Sequence, residues 1–178
     1  ATLVDEAAER GLFFAEAMWM RTNPNVRRMV EIVRSGDLGD VLQVRAELGF
    51  VGRKDVARLW DVDLGASSLL DVGIYPLTFA HMVLGEPTRI AAAGVVSDTG
   101  VDLSGGATLT YPSGAVASIA WTQVALGDNR AVIAGDGGRI EVPGRFHHAD
   151  GFTVVRGDDR EEVALPVTGR GYSHEIEE

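Results

Sequence analysis

Beyond Thr88 the chain consists almost wholly of short segments with strand character, at 90–96, 107–111, 116–124, 131–134, 140–142, 152–155 and 162–165. The joints between them are turn sequences: Pro112-Ser113-Gly114, Gly135-Asp136-Gly137-Gly138 and Gly157-Asp158-Asp159. Connections this short join antiparallel neighbours, because parallel strands need a much longer crossover. A further strand begins at Val41, where Leu42, Val44, Ala46, Leu48 and Phe50 alternate with Gln43, Arg45 and Glu47. That is the period of a strand covered on one face.

Helical signals are fewer and come early. Asn23-Pro24 supplies a side-chain cap followed by proline at the first helical position; Val26, Met29, Val30 and Val33 then recur at helical spacing until Ser35-Gly36. Residues 67–84 are apolar with helical spacing, but Gly73 and Pro76 interrupt them, which predicts two shorter helices meeting at a break or kink, closed by Gly85. Residues 51–66 read as a long loop, a kind of segment that is often functional. The sum is an α+β fold: one large, mostly antiparallel open β-sheet with helices packed on one face.

The first residues do not belong to this pattern. Residues 1–10 read as a helix stopped by Gly11, and Leu12-Phe13-Phe14-Ala15 as a short buried strand. An α-then-β unit is half of a larger one. The expectation is that 1–15 are a remnant of an upstream dinucleotide-binding domain and 16–178 a substrate-binding and oligomerisation domain, with a final helix begun at 171–178 and cut short.

Composition removes several classes of function. A net charge of −10, with a pI near 4.8, opposes binding to phosphate backbones, so nucleic acid is not expected as a partner. The absence of cysteine excludes disulfides, thiolate metal sites and cysteine nucleophiles. No continuous apolar run suits a membrane span, and the N-terminus lacks the order of a signal peptide, so a cytoplasmic protein is expected.

The stretch most informative for chemistry is Leu69-Leu70-Asp71-Val72-Gly73-Ile74-Tyr75-Pro76. On a local helix Asp71 and Tyr75 lie on one face, and Gly73 leaves room for a ligand to approach the backbone. A phenol can donate a proton to a developing alkoxide or take one from an alcohol if a nearby cation lowers its pKa. By spacing alone the preferred reading is plainer: Asp71 caps a helix break and Tyr75 packs in the core.

Three ordered blocks change that weighting. Glu16-Ala17-Met18-Trp19-Met20-Arg21-Thr22-Asn23-Pro24, then Ser35-Gly36-Asp37-Leu38-Gly39-Asp40-Val41, then Leu64-Gly65 running into Leu69 to Pro76, together resemble the Gfo/Idh/MocA oxidoreductases. Within that family the resemblance is to the dihydrodiol dehydrogenase and glucose-fructose oxidoreductase branch. Asp98-Thr99-Gly100-Val101-Asp102 and Tyr111-Pro112-Ser113-Gly114 extend it into the strand region. The resemblance implies a Rossmann domain binding NAD or NADP, followed by an α+β domain whose open sheet mediates homo-oligomer contacts. It implies the general acid-base tyrosine at Tyr75, the neighbouring aspartate of the motif at Asp71, a pocket-lining aromatic at Trp19 and a pocket-side group at Arg21. The implied reaction is hydride transfer between NAD(P) and a hydroxyl-bearing carbon of a small-molecule sugar, polyol or cyclic diol.

Two departures qualify this. The family's Glu-Lys-Pro motif is not in these residues, nor is a Gly-x-Gly-x-x-Gly turn after a strand, so these residues alone are expected to bind no cofactor and to be inactive. An alternative from another class is a non-catalytic binding or assembly module that oligomerises through the sheet. His147-His148 with Asp150 is a candidate metal cluster by residue type, but adjacent histidines on extended chain point apart, and no metal site is expected. His81 reads as a packing histidine, Arg27-Arg28 and Arg34 as a solvated helix face, and Asp158, Asp159, Glu161 and Glu162 as a charged hairpin tip.

Overall fold

The structure, a computed structural model, describes residues 2–176. Its strands are β1 (Val41–Gly49), β2 (Arg89–Val96), β3 (Asp102–Thr110), β4 (Val116–Thr122), β5 (Ala131–Gly135), β6 (Arg139–Val142), β7 (Phe152–Arg156) and β8 (Asp159–Val163). They form one eight-stranded sheet in the order β2-β3-β4-β1-β5-β6-β7-β8. Every neighbouring pair is antiparallel except β1 with β4. Between those two the chain makes its long helical excursion and the β2–β3 hairpin, which supplies the crossover that a parallel pair requires.

The alternation in β1 puts Val44, Ala46 and Leu48 on the covered face. Leu42 departs from the predicted stripe and is exposed, because the register with β5 shifts between Val41 and Gln43. Ala117, Ile119, Leu109, Ile133, Ile140, Phe152 and Val154 extend the covered face across the sheet. Each large apolar side chain buried here contributes about 1.5–3 kcal/mol. Strand β2 escapes cover altogether: all eight of its residues are exposed.

Two helices supply the cover, α2 (Pro24–Ser35) and α3 (Ile74–Leu84). Helix α2 begins as its sequence predicts, with the Asn23 side chain accepting bonds from the N–H groups of Asn25 and Val26, and ends at Gly36 with a φ of 81°. The predicted break before α3 is instead a turn of π-helix, Leu69–Gly73, running straight into α3. Pro76 falls in the first turn of α3, where a proline is tolerated. Residues 51–66 form a loop carrying two short 3₁₀ turns, Ala57–Leu59 and Val62–Leu64. By length and apolar content alone Val62–Leu84 could cross a membrane. In the fold it is broken at Gly65, φ 77°, and its helical end lies along β1 and β4.

The opening residues depart from expectation. Helix α1 (Thr2–Glu9) forms, but 12–15 is not a strand: Leu12, Phe13 and Phe14 are exposed and pair with no strand in the sheet. A strand exists only through a partner's hydrogen bonds, whatever its apolar content. A short helix α4 (Ser173–Ile176) follows Tyr172, and positions 177 and 178 of the expected final helix lie outside the described residues.

Candidate functional site

Two short 3₁₀ turns from distant parts of the chain meet at the edge of the helical layer. One is Trp19–Thr22, leading into α2; the other is Phe146–His148, between β6 and β7. Buried asparagines at the start of α2 hold them together. Asn23 Nδ2 and Asn25 Nδ2 both donate to the carbonyl oxygen of Ala149, at 3.2 and 3.0 Å. Asn25 also exchanges bonds with the backbone of Leu165, donating to its carbonyl and accepting from its N–H. Buried amides satisfied in this way are costly to remove and define the alignment of the segments they join.

Tyr75, in the first turn of α3, projects into this junction. The indole Nε1–H of Trp19 donates to its Oη at 2.8 Å. The rings meet edge to face with centroids 6.5 Å apart, and the His147 ring lies 5.3 Å from that of Tyr75. The other side of Trp19 is occupied by His148 and by Tyr172, stacked at 4.8 Å and an interplanar angle of 25°. A cleft of about 470 Å³ lined by Trp19, Arg145, His148 and Tyr172 opens beside the cluster. Burial raises the Tyr75 pKa above its ordinary value; the Trp19 bond works against that, while the charges of Asp71, Tyr172 and Glu175 add to it. Burial also depresses His147, with help from Arg145 and His148, to a pKa of about 4, so its ring is neutral at physiological pH.

Asp71 sits elsewhere. Although four residues from Tyr75, it points to the rim, where Arg58 of the 51–66 loop donates to its Oδ1 at 2.8 Å. It forms no hydrogen bond with Tyr75 and caps no helix break. The capping carboxylate is Asp102, which accepts from the N–H and hydroxyl of Ser68 and from the N–H of Leu69. Gly73 does not leave room for a ligand: a Cβ there would lie 2.8 Å from the buried Trp121 ring, so the glycine admits an indole rather than a substrate. Arg21 also stands apart from Tyr75. It lines a second cleft of about 570 Å³ with Phe13, Met18, Arg27, Glu31 and Arg34. The larger cleft is therefore not the one that Trp19 lines.

Of the residues expected from sequence, the fold unites Trp19 with Tyr75 and separates Asp71 and Arg21 from them. It adds His147, His148, Tyr172 and Arg58. The two histidines do not point apart on extended chain; on their 3₁₀ turn both rings face Trp19, at 6.0 and 4.8 Å. His81, expected to pack, is half exposed and lies 2.9 Å from Glu86. The only sequence trace of the added residues was the His147-His148 pair. Among the described residues no strand runs through a glycine-rich turn into a helix, and the N-terminus of α2 is occupied by Asn23.

Residues 26–141 match the family model described as the GFO/IDH/MocA C-terminal domain. The trans-1,2-dihydrobenzene-1,2-diol dehydrogenase of Mus musculus is 32% identical over 173 residues, which cover 96% of this chain and 51% of that protein. The chain thus spans about half the length of the curated relatives it matches. An aldose-aldose oxidoreductase from Caulobacter crescentus, solved with glycerol, superposes with a TM-score of 0.83 at 23% identity, over 96% of this chain and 54% of that one. A 3-ketoreductase from Actinomadura kijaniata, solved with NADP and TDP-benzene, gives 0.82 at 24% identity, over 99% of this chain and 56% of that one. At such identities the two solved structures speak for the fold.

Proposed function

The chain belongs to the GFO/IDH/MocA family as its C-terminal domain, and from that premise we propose that it is the substrate-binding and proton-transferring half of an NAD(P)-dependent oxidoreductase. The substrate is a small molecule with a hydroxyl-bearing carbon, of the sugar, polyol or cyclic diol class. In the whole protein a nicotinamide would supply or accept the hydride. The part of the residues described here is to hold the substrate oxygen and move its proton. That the mouse relative is a trans-1,2-dihydrobenzene-1,2-diol dehydrogenase supports this class of substrate.

Tyr75 is the proton carrier in this reading, supported by one observation above the rest: its Oη accepts at 2.8 Å from Trp19, which itself lines an aromatic cleft. Reduction would take the phenol proton to the nascent alkoxide, and oxidation would return it. Asp71 biases the phenol through its charge and not through a bond. Trp19 contributes a wall of the cleft, and Arg21 contacts the part of a substrate that reaches past the Trp19–Thr22 turn. Tyr75→Phe in the whole protein keeps the ring and should lower turnover by about 10²- to 10⁴-fold in a protein that melts normally. Near-normal turnover would return Tyr75 to a packing role.

The same reading includes assembly, in a cytoplasmic enzyme, through the uncovered face of the sheet. That face carries Ala91, Ala93, Gly106, Thr108, Ser118 and Ala120 towards β2, and Arg45, Arg139, Glu141 and Arg160 towards β8. A broad face of small residues beside paired charges suits a second copy of the chain. Sedimentation giving a strict monomer at high micromolar concentration would count against it.

A further inference from the structure

The bond between Trp19 and Tyr75 implies more than a wall for the cleft. An indole N–H can only donate, so Tyr75 Oη must be the acceptor, and the phenol's own hydrogen must point elsewhere. Among the described residues no protein acceptor takes that hydrogen. Trp19 itself is fixed on several sides, by Tyr172 stacked at 4.8 Å, by His148 at 4.8 Å and by His147 at 6.0 Å. Its turn is anchored in turn by Thr22, whose hydroxyl donates to the Trp19 carbonyl, and by the Asn23 and Asn25 bonds to Ala149.

From this geometry we infer that Trp19 is a positioning residue for Tyr75: its indole N–H fixes the phenol oxygen, leaves the phenol hydrogen free for the substrate oxygen, and stabilises the phenolate that remains once that hydrogen is given up. The inference rests on the reading of Tyr75 as the proton carrier and adds a second task for Trp19. In the reductive direction the O–H bond of Tyr75 breaks, its proton joins the oxygen of the substrate carbonyl as that oxygen becomes an alkoxide, and the electron pair stays on Oη; the hydride for the carbonyl carbon would be supplied by a reduced nicotinamide. A phenolate in half-buried surroundings is unfavourable, and Trp19 is the one donor on it among the described residues. The charged and titratable groups facing Tyr75 offer no substitute. Asp71 from the π turn and Tyr172 and Glu175 from the C-terminal segment all disfavour the anion. His147 from the 146–148 turn is held neutral, Arg145 acts on that imidazole, and Arg58 on the rim is engaged by Asp71.

The test uses the spectroscopy of the chain itself. With three tyrosines in all, Tyr111→Phe with Tyr172→Phe leaves Tyr75 as the sole phenol while keeping every ring. In that background Trp19→Phe should move the alkaline midpoint of the tyrosinate absorbance upward by roughly one to two pH units, the worth of a hydrogen bond to a charged group. An unchanged midpoint would overturn the inference. A second measurement covers the case in which Trp19→Phe misfolds. In the otherwise unaltered chain at neutral pH, Tyr75→Phe should shift the Trp19 indole N–H resonance and speed its exchange with solvent; an indifferent resonance would overturn the inference equally. The two readings fail separately. A responsive indole with a fully active Tyr75→Phe enzyme sinks only the catalytic role, whereas an inactive Tyr75→Phe enzyme with an indifferent indole sinks only the positioning role.

Discussion

Asp71 and Tyr75 stand four residues apart on adjoining helical turns, yet the two regions they enter have little in common. Tyr75 is half buried among Trp19 and His147, its oxygen held by a single donor. Asp71 meets solvent and a guanidinium from a surface loop, the pair being 35% and 64% exposed. Environment, not spacing, assigns their roles, because a hydrogen bond or charge acts far more strongly where water is excluded. In the proposed reading one region fixes a proton's position and the other only biases it.

The largest test of this contrast disturbs the packing beneath the π turn that carries Asp71 and leads into Tyr75. The Trp121 indole lies between Gly73 of the π turn and Gly105 of β3, and a Cβ on Gly105 would come within 2.2 Å of Trp121 Cζ2. Gly105→Ala should therefore destabilise the chain by about 3 kcal/mol, the upper part of the usual range for overpacking. Urea unfolding would measure it, and a loss below about 1 kcal/mol would mean that the indole is free to move and the packed side is looser than described.

His147 gives the next effect. Its native pKa of about 4 lies below its ordinary value of 6.5, so the unfolded chain binds the proton more readily. The stability it contributes is complete above pH 6.5 and is lost as pH falls from there to about 4. The linkage amounts to about 3 kcal/mol across that window. His147→Phe, which cannot titrate, should show a correspondingly flatter decline of Tm between neutral and mildly acid pH. Parallel declines in the two proteins would refute the burial assigned to the imidazole.

The sheet was legible because its signals are local. Alternation in 41–50, turn glycines at 114 and 157 and the Asn23-Pro24 cap each report on their immediate surroundings. The π turn was not, since Gly73 and Pro76 also suit a break and the single added residue leaves no period of its own. The 12–15 segment misled because apolar content does not provide a partner strand. The aromatic junction lay beyond reach for a different reason: Trp19 and His147 are brought together by Asn23 and Asn25 reaching Ala149, more than a hundred residues on, and nothing in their spacing announces it. Tyr75 and Trp19 entered through a family resemblance, whereas their contact is a property of the fold.

The smallest effect should come from the rim. An exposed pair such as Arg58 with Asp71 contributes about 0–1 kcal/mol, so Arg58→Ala should leave the melting curve almost unchanged. Its electrostatic trace should still be measurable in the background where Tyr75 is the only tyrosine. Asp71 adds to the burial that raises the Tyr75 pKa, so deleting its counter-charge should move the tyrosinate midpoint further up, and Asp71→Asn should move it down. Both displacements should be a few tenths of a pH unit, as expected for charges screened by water and salt. They should be well short of the change on losing the indole donor. If Arg58→Ala moved the midpoint as far as Trp19→Phe, the rim would control the phenol, and the division between a region that fixes the proton and one that biases it would collapse.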